Sequence, residues 1–143
     1  MLIRDVVASK GSSVVTVGPD ATVLEAARTL VEHMIGAVVV TKDGYVEGIL
    51  SERDVLRLAA RDPSLLPSTP VADVMTTDVV VGLVDDDLAY AMAIMTNNRL
   101  RHLPVLDKAA LVGIVSIGDL VNASLTDLTA ENHWLRDYVQ GAG

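Results

Sequence analysis

The stretch GILSERD at residues 48–54 returns as GIVSIGD at residues 113–119. Glycine, isoleucine, serine and aspartate keep their places, and each is shifted by 65 residues. The same shift relates the two halves of the chain without a gap from about Val15 to Ala60, and upstream IRDVV at residues 3–7 resembles VADVM at residues 71–75. An internal repeat of this length indicates that the structural unit is half of the chain.

Each half has the residue pattern of a β-α-β-β-α unit. In the first half a short β-rich stretch (SVVTV) precedes a helical pattern, two strands (GAVVVTK and YVEGIL) and a last helix (DVLRLAAR). Asp43-Gly44 between the two strands predicts a hairpin, and the second half turns near Lys108-Ala109 without a glycine. We therefore predict an α+β fold in which two β-α-β-β-α repeats pack through their sheets with pseudo-twofold symmetry.

Prolines mark the boundary between the halves, since three of the five lie in one segment, at Pro63, Pro67 and Pro70. The predicted organisation is repeat 1 at residues 1–62, a linker at 63–70, repeat 2 at 71–125 and a C-terminal helical tail at 126–143. One repeat of about 60 residues buries too little surface to be stable alone. Packing of the two copies would stabilise both and create clefts in pairs. The tail could pack on the core or contact a second subunit through an amphipathic stripe of Leu128, Trp134, Leu135 and Tyr138.

Composition excludes several classes of function. A net charge of −8, from 11 basic and 19 acidic residues, argues against binding to nucleic acid. The chain has no cysteine, no run of eighteen apolar residues and no signal-peptide pattern, so we expect a cytoplasmic protein with no membrane partner. The three histidines lack metal-ligand spacing, and the acidic run at Asp85, Asp86 and Asp87 is more typical of a solvated helix start than of a metal site. No catalytic motif is found, so we expect no metal and no enzyme activity.

The repeated Ser-x-x-Asp has two interpretations. A serine followed three residues later by an acidic residue, after a strand and before a helix, is typical of a capping box, as Thr22 with Glu25 is at an earlier helix. The same geometry suits a nucleotide, because a helix N-terminus attracts phosphate and an aspartate can accept hydrogen bonds from ribose hydroxyls. Gly48 and Gly113 would then let a ligand approach the strand.

The duplicated order, with Gly-Ile-x-Ser-x-x-Asp in register in both copies, resembles a tandem pair of cystathionine-β-synthase (CBS) domains, a Bateman module. Further support comes from the segments VVTVGPDATVLEAARTLVEHMIGAVVV and RLRHLPVLD, and the resemblance covers roughly residues 1–125. It implies clefts that bind AMP, ADP, ATP, NAD(H) or S-adenosylmethionine as a regulatory ligand rather than as a catalytic cofactor. Because Bateman modules commonly pair, it also implies a homodimer.

The resemblance assigns roles to individual residues. It implies that Asp54 and Asp119 bind ribose and that Ser51 and Ser116 reach toward phosphate. By position it implies adenine contacts from Thr16, Val17, Ala37 and Val38 in one copy and from Val81, Leu103 and Pro104 in the other.

Cations distinguish the two copies. Between serine and aspartate the first copy has Glu52-Arg53 and the second has Ile117-Gly118. Arg53 is a phosphate-binding candidate in the first copy, and Arg99, Arg101 and His102, expected on the strand before the second motif, are the others. The 65-residue shift maps Gly36 and Ala37 onto Arg101 and His102, so we expect unequal sites. Which cleft these cations face stays open.

The functional prediction is a stand-alone regulatory or sensor module that binds an adenine nucleotide. Occupancy would be signalled to an unknown regulated protein by a conformational change, without any chemical step. Two alternatives stay open: a dimeric interaction scaffold in which both Ser-x-x-Asp pairs are only caps, and a binder of S-adenosylmethionine.

Overall fold

The computed structural model describes residues 1–11 and 14–126. In this part of the chain the helices are α1 (Ile3–Lys10), α2 (Val23–His33), α3 (Glu52–Arg61), α4 (Leu88–Asn97) and α5 (residues 117–126). The strands are β1 (Thr16–Val17), β2 (Ala37–Lys42), β3 (Tyr45–Ser51), β4 (Gly82–Leu83), β5 (His102–Asp107) and β6 (Ala110–Ser116). Short 3-10 turns at Pro63–Leu65 and Val71–Asp73 join the halves. The predicted tail, with its amphipathic stripe, lies outside the described residues from residue 127 onward.

The strands form two sheets of three, ordered β1-β2-β3 and β4-β5-β6. β1 is parallel to β2, β2 is antiparallel to β3, and β4 is parallel to β5. The α+β fold and the repeated β-α-β-β-α order are therefore confirmed. Among the described helices, none combines the length and the apolar character that crossing a bilayer requires.

Each half has a β-rich segment at the place of its first strand, SVVTV at residues 13–17 and DVVVG at residues 78–82. The strand that forms is shorter than the segment in both halves. Of the described residues in these segments, Thr16 and Val17 pair with β2 in the first half, and Gly82, together with Leu83 after it, pairs with β5 in the second. Valine-rich segments favour extended backbone, but a strand forms only where a neighbour accepts and donates its hydrogen bonds. The sequence shows that these segments favour an extended backbone, but it does not show which of their residues have a neighbouring strand to pair with.

The predicted turn between β2 and β3 is confirmed, and the turn between β5 and β6 has the same backbone. Asp43 and Gly44 have φ angles of 53° and 83°, and Lys108 and Ala109 have 50° and 70°. Two successive residues with positive φ are the requirement of a type I′ hairpin turn. The second half thus adopts this turn with an alanine where the first half has a glycine.

The compact units of the structure do not follow the order of the chain. The described residues of 13–81 and 108–111 form one unit, which we call the Ser51 unit, and those of 1–12, 82–107 and 112–143 form the other, the Ser116 unit. Helix α1 therefore packs with the second half of the sequence although it lies at the N-terminus. The predicted β-α-β-β-α order does not include this helix, although its first residues, IRDVV, resemble VADVM.

Each unit uses the glycine of its repeated motif to bring another segment close. In the Ser116 unit a Cβ atom on Gly113 would lie 3.1 Å from Cγ1 of Val7 in α1. In the Ser51 unit a Cβ atom on Gly48 would lie 2.6 Å from Sδ of Met75. Val7 and Met75 hold equivalent places in IRDVV and VADVM. The expectation that a ligand approaches the strand at these glycines is wrong, because protein side chains fill the space.

The core of the Ser51 unit is aliphatic, as the absence of phenylalanine predicts. One cluster of buried residues draws on α2, both long strands and the Val71 turn, and its members are Ala26, Leu30, Val38, Val40, Leu50 and Val71. This cluster fixes α2 against the sheet and holds the end of β3, where Ser51 lies.

Candidate functional site

Ser51 ends β3 and forms the N-cap of α3, with Asp54 three residues into the turn. The backbone N–H of Ser51 donates to Oδ2 of Asp54 at 2.8 Å, and the Ser51 hydroxyl donates to the same oxygen at 3.0 Å. In return the backbone N–H of Asp54 donates to Oγ of Ser51 at 3.3 Å. The capping interpretation of this motif is confirmed, and the cap uses Oδ2 of the Asp54 carboxylate.

Ser116 and Asp119 repeat this geometry between β6 and α5. The backbone N–H of Ser116 donates to Oδ2 of Asp119 at 2.8 Å, and the N–H of Asp119 donates to Oγ of Ser116 at 3.0 Å. Within the described residues, Oδ1 accepts no hydrogen bond in either Asp54 or Asp119. The side chains of Asp54 and Asp119 are 14% and 28% exposed, so part of each carboxyl side chain is accessible to solvent.

We call the junction of β3 with α3 the Ser51 turn and the junction of β6 with α5 the Ser116 turn. In both turns the first residue of the helix donates its backbone N–H to the carbonyl of the residue just before the middle strand. Glu52 donates its backbone N–H to the carbonyl of Gly36 at 2.9 Å, and Ile117 donates to the carbonyl of Arg101 at 3.0 Å. Gly36 and Arg101 are one 65-residue shift apart, as are Glu52 and Ile117. Arg101 therefore adjoins the Ser116 turn through its backbone, at the place where the Ser51 turn has a glycine.

Lys10 contacts the Ser116 turn from helix α1, and it was not among the predicted site residues. It lies in the last turn of α1, and its Nζ donates to Oδ2 of Asp119 at 2.6 Å and to the carbonyl of Ile114 at 2.9 Å. No pattern in the sequence connects residues 109 positions apart. The only relevant signal in the sequence was the repeat. It shows that a related segment stands before each copy: the segment that holds Lys10 before the first, and VADVM before the second.

The environment of Asp119 changes its acidity. Burial acts to raise the pKa of Asp119, but the hydrogen bonds from Lys10 and from the Ser116 backbone N–H, with the positive charge of Lys10, outweigh it. The pKa of Asp119 consequently lies below its ordinary value of 3.8. The carboxylate is ionised at neutral pH, the state in which it accepts hydrogen bonds only.

The Ser51 turn has its cations on α3 rather than on α1. Nη1 of Arg57 lies 4.0 Å from Oδ1 of Asp54, and Arg61 lines the same shallow groove of about 210 Å³. Arg53, the phosphate-binding candidate, is exposed and lines a neighbouring groove with Leu56, Arg57 and Ala60. The structure thus brings Arg57 and Arg61 to the groove of Asp54, and neither was among the predicted site residues.

The three cations expected on the strand before the second motif lie in different settings. Strand β5 begins at His102, so Arg99 and Arg101 precede it, and their placement on the strand was wrong. Arg99 follows α4 with a φ angle of 55°, and its N–H donates to the carbonyl of Thr96 at 3.2 Å. Helix α4 ends at Asn97, and residues 98–101 connect it to β5. His102 is half-buried.

All but one of the candidate adenine contacts lie on the first and middle strands of the two sheets. Ala37 pairs in register with Ser51, so these two residues are neighbours across β2 and β3. Val38 and Leu103 are fully buried, and contact with a ligand would therefore use their backbone. Thr16 and Val17 form β1, Val81 precedes β4, and Pro104 is a buried residue of β5. Their roles stay predictions.

The acidic run before α4 has structural contacts. Asp85 pairs with Arg4 of α1 at 2.8 Å, and Oδ2 of Asp86 accepts the backbone N–H of Leu83 at 2.9 Å. Asp87 is the N-cap residue of α4 and makes no side-chain capping bond. In the ranges that the structure describes, no group of three or more His, Asp or Glu side chains is arranged to hold a metal ion.

Comparisons with known proteins point to one family. The family model described as CBS domain matches residues 3–61 and 71–126. The chain is 36% identical over 148 residues to the mitochondrial CBS domain-containing protein CBSX3 of Arabidopsis thaliana, covering 97% of this chain and 72% of that protein. Among solved structures it is similar to the CBS-domain containing protein ATU1752 from Agrobacterium tumefaciens, with 44% identity, a TM-score of 0.81 and coverage of 87% and 99% of the two chains. It is also similar to the CBS domain protein PAE2072 from Pyrobaculum aerophilum, which was solved in complex with AMP, with 26% identity, a TM-score of 0.78 and coverage of 91% and 99%.

Proposed function

Because the chain belongs to the CBS-domain family, we propose that it is a regulatory module that binds an adenosine nucleotide (AMP, ADP, ATP or NAD(H)) at its two serine–aspartate turns. The observation that carries the proposal is the carboxylate oxygen that each capping box leaves available. Asp54 and Asp119 use Oδ2 for the cap, and within the described residues Oδ1 of each accepts no hydrogen bond.

Ribose chemistry fits this arrangement. An ionised carboxylate accepts only, and the two hydroxyls of a ribose can donate to it. The cap holds each carboxylate in one orientation, so part of the entropic cost of ordering the side chain is already met before a ligand arrives. The AMP complex of the Pyrobaculum aerophilum relative supports an adenosine ligand.

The first experiment is a thermal-shift titration with AMP, ATP, NAD and S-adenosylmethionine. A ligand that binds the folded protein raises the unfolding midpoint by mass action, so the shift should grow with concentration. Asp54→Ala and Asp119→Ala should each reduce this shift, because each removes a ribose acceptor. A shift with S-adenosylmethionine alone would favour the alternative ligand.

Glu25→Ala is the matched control for these variants. Thr22 and Glu25 form a capping box of the same design at the start of α2, where no ligand is proposed. This variant should lower the midpoint without ligand and leave the ligand-induced shift unchanged. If no adenosine compound shifts the wild-type midpoint, the module is a scaffold in which both motifs are only caps.

The proposal gives the chain no catalytic step, so its output is a change that a partner protein detects.

The proposed homodimer is supported by an exposed apolar surface in the Ser51 unit. Val31, Met34 and Leu56 are 77%, 91% and 70% exposed around a groove of about 450 Å³ between α2 and α3. Apolar surface of this kind is typical of interfaces.

The dimer has its own test. Met34→Glu should convert a dimer to a monomer in sedimentation-velocity experiments at a concentration where the wild type is dimeric. Tyr45→Glu, at an exposed residue outside this groove, is the control. A wild type that sediments as a monomer at all concentrations would contradict the homodimer and leave nucleotide binding untouched.

A further inference from the structure

Lys10 connects helix α1 to the carboxylate of the Ser116 turn. Its Nζ donates to Oδ2 of Asp119 at 2.6 Å and to the backbone carbonyl of Ile114 at 2.9 Å. The second bond is directed to β6, and the first to the start of α5. A lysine side chain loses conformational entropy when it is held in this way, so the two contacts fix the position of a charge that would otherwise be mobile.

The ammonium group keeps one donor for another partner. A lysine ammonium carries three N–H donors, and within the described residues only two hydrogen bonds from Lys10 are formed. The side chain is 40% exposed, so the third donor is open to solvent. An anion that reaches the Ser116 turn can therefore accept a charge-assisted hydrogen bond from Lys10 without displacing Asp119.

Lys10 also removes an electrostatic obstacle to phosphate. The negative charge of Asp119 would repel a phosphate group bound beside it, and an ammonium at 2.6 Å offsets that charge. Lys10 occupies Oδ2, whereas Oδ1 of Asp119 stays available to ribose hydroxyls. Ribose and phosphate thus have separate acceptor and donor atoms in one site.

The Ser51 turn lacks this arrangement. When IRDVV is aligned with VADVM, the place of Lys10 is taken by Asp78, an exposed acidic residue. The cations near Asp54 belong to α3 itself, and Nη1 of the exposed Arg57 lies 4.0 Å from Oδ1 of Asp54. At that distance the guanidinium approaches the same oxygen that ribose would use, so the two turns should differ in selectivity.

We propose that Lys10 is a specificity-determining residue that makes the Ser116–Asp119 site prefer adenosine ligands carrying a phosphate over those with an uncharged or positively charged 5′ group. This inference rests on the proposed nucleotide binding. It assigns the ligand class of one of the two sites to a residue from a segment outside the repeated motif.

The test measures AMP and adenosine binding by calorimetry in an Asp54→Ala background, where only the Ser116 site is proposed to bind. Lys10→Met removes the charge and keeps the length of the side chain, and Lys10→Arg restores a cation. AMP affinity should fall about tenfold in Lys10→Met, which corresponds to ~1.4 kcal/mol. Adenosine affinity should not change, and Lys10→Arg should recover most of the AMP affinity. Lys42→Met, at the exposed end of β2, is the control.

A second measurement needs no change at Lys10. In Asp54→Ala the ratio of AMP affinity to adenosine affinity should fall as salt is added, because only the AMP complex includes the exposed charge contact. A ratio independent of salt contradicts the inference, as do equal losses of AMP and adenosine affinity in Lys10→Met. Equal losses would mean that Lys10 only supports the structure of the turn.

Failure of the inference and failure of the proposed function give different results. If wild type binds AMP but Asp54→Ala binds neither AMP nor adenosine, the Ser116 site is not a ligand site and the inference is wrong. The proposed function then survives at the Ser51 turn. If neither compound nor any other adenosine ligand binds wild type, the proposed function fails and the inference fails with it.

Discussion

The sulfur of Met75 lies 2.6 Å from the position that a Cβ atom on Gly48 would occupy. The carbonyl oxygen of Thr76 lies 2.8 Å from the same position, and the backbones of Thr76 and Ile49 exchange two hydrogen bonds of 3.0 Å. The glycine of the repeated motif therefore allows a segment beyond α3 to pair with β3 at close range. Its conformational freedom is not used, but its missing side chain is required.

Gly48→Ala should lower the free energy of unfolding by about 1–3 kcal/mol, as overpacking does when neighbours must move. The Met75 side chain can adjust, but the carbonyl of Thr76 is backbone and is held by the bridge to Ile49. Gly113→Ala should cost less, because its nearest neighbour is Cγ1 of Val7 at 3.1 Å. Urea unfolding of both variants measures the difference.

Gly18→Ala is the control for this series, since a Cβ atom on Gly18 would have no neighbour within 4 Å. Its effect on the unfolding free energy should be small. Equal destabilisation by Gly18→Ala and Gly48→Ala would mean that close packing of Met75 and Thr76 does not explain the glycine.

Ser51→Ala separates capping from binding. Loss of the N-cap hydroxyl should cost about 1 kcal/mol of stability. Thr22 caps α2 in the same way, with its Oγ1 accepting the N–H of Glu25 at 3.1 Å, so Thr22→Ala should cost a similar amount. If Ser51 also contacts a nucleotide phosphate, only Ser51→Ala should weaken AMP binding beyond this common loss.

Thermal unfolding with and without AMP checks this prediction. Both variants should start from a lower midpoint, but the AMP-induced shift should shrink in Ser51→Ala alone. If AMP raises the unfolding midpoint of both variants by the same amount, Ser51 acts only as a helix cap. Asp54 is then the ligand contact to be tested.

Local patterns predicted much of this fold, because the repeat preserves the features that determine each element. The CBS-domain resemblance, the duplicated element order and the Ser-x-x-Asp caps are confirmed. The Asp43-Gly44 turn is also confirmed, since the turn requires positive φ at both residues and aspartate and glycine tolerate it well. The roles of the predicted ribose, phosphate and adenine contacts stay predictions.

Contacts that are distant in sequence could not be predicted. Val7 lies over Gly113, and Lys10 reaches Asp119, because α1 joins the unit of the second half. No local periodicity records which unit a leading helix joins. Arg57 is a different case, because it lies three residues after Asp54 on α3. Side chains at this spacing are neighbours on a helix, so the sequence alone could have predicted this contact.

The stability contributed by Asp119 should depend on pH. Since the pKa of Asp119 is lowered in the folded state, its contribution is fully present above the ordinary, unfolded pKa of 3.8 and is lost as the pH falls through the lower folded value. Asp119→Asn should therefore be less stable than wild type at neutral pH, and this difference should shrink in acid. Urea unfolding at several pH values measures it.

Asp78→Asn is the control for the pH series, because Asp78 is exposed and forms no hydrogen bond among the described residues. Its unfolding free energy should follow that of wild type across the range. A wild-type advantage over Asp119→Asn that stays constant into strong acid would contradict the assigned contact between Lys10 and Asp119.

The turn between β5 and β6 offers a stabilising substitution. Ala109 has a φ angle of 70°, which disfavours a residue with a Cβ atom, whereas the equivalent turn has Gly44 at 83°. Ala109→Gly should therefore raise the free energy of unfolding by about 0.5–1 kcal/mol, after the greater chain entropy of glycine in the unfolded state is included. Ala110→Gly, at the first residue of β6, should instead lower it, since glycine weakens a strand. Urea unfolding of both variants measures the two effects, and destabilisation by Ala109→Gly would mean that the positive φ at this turn carries no strain.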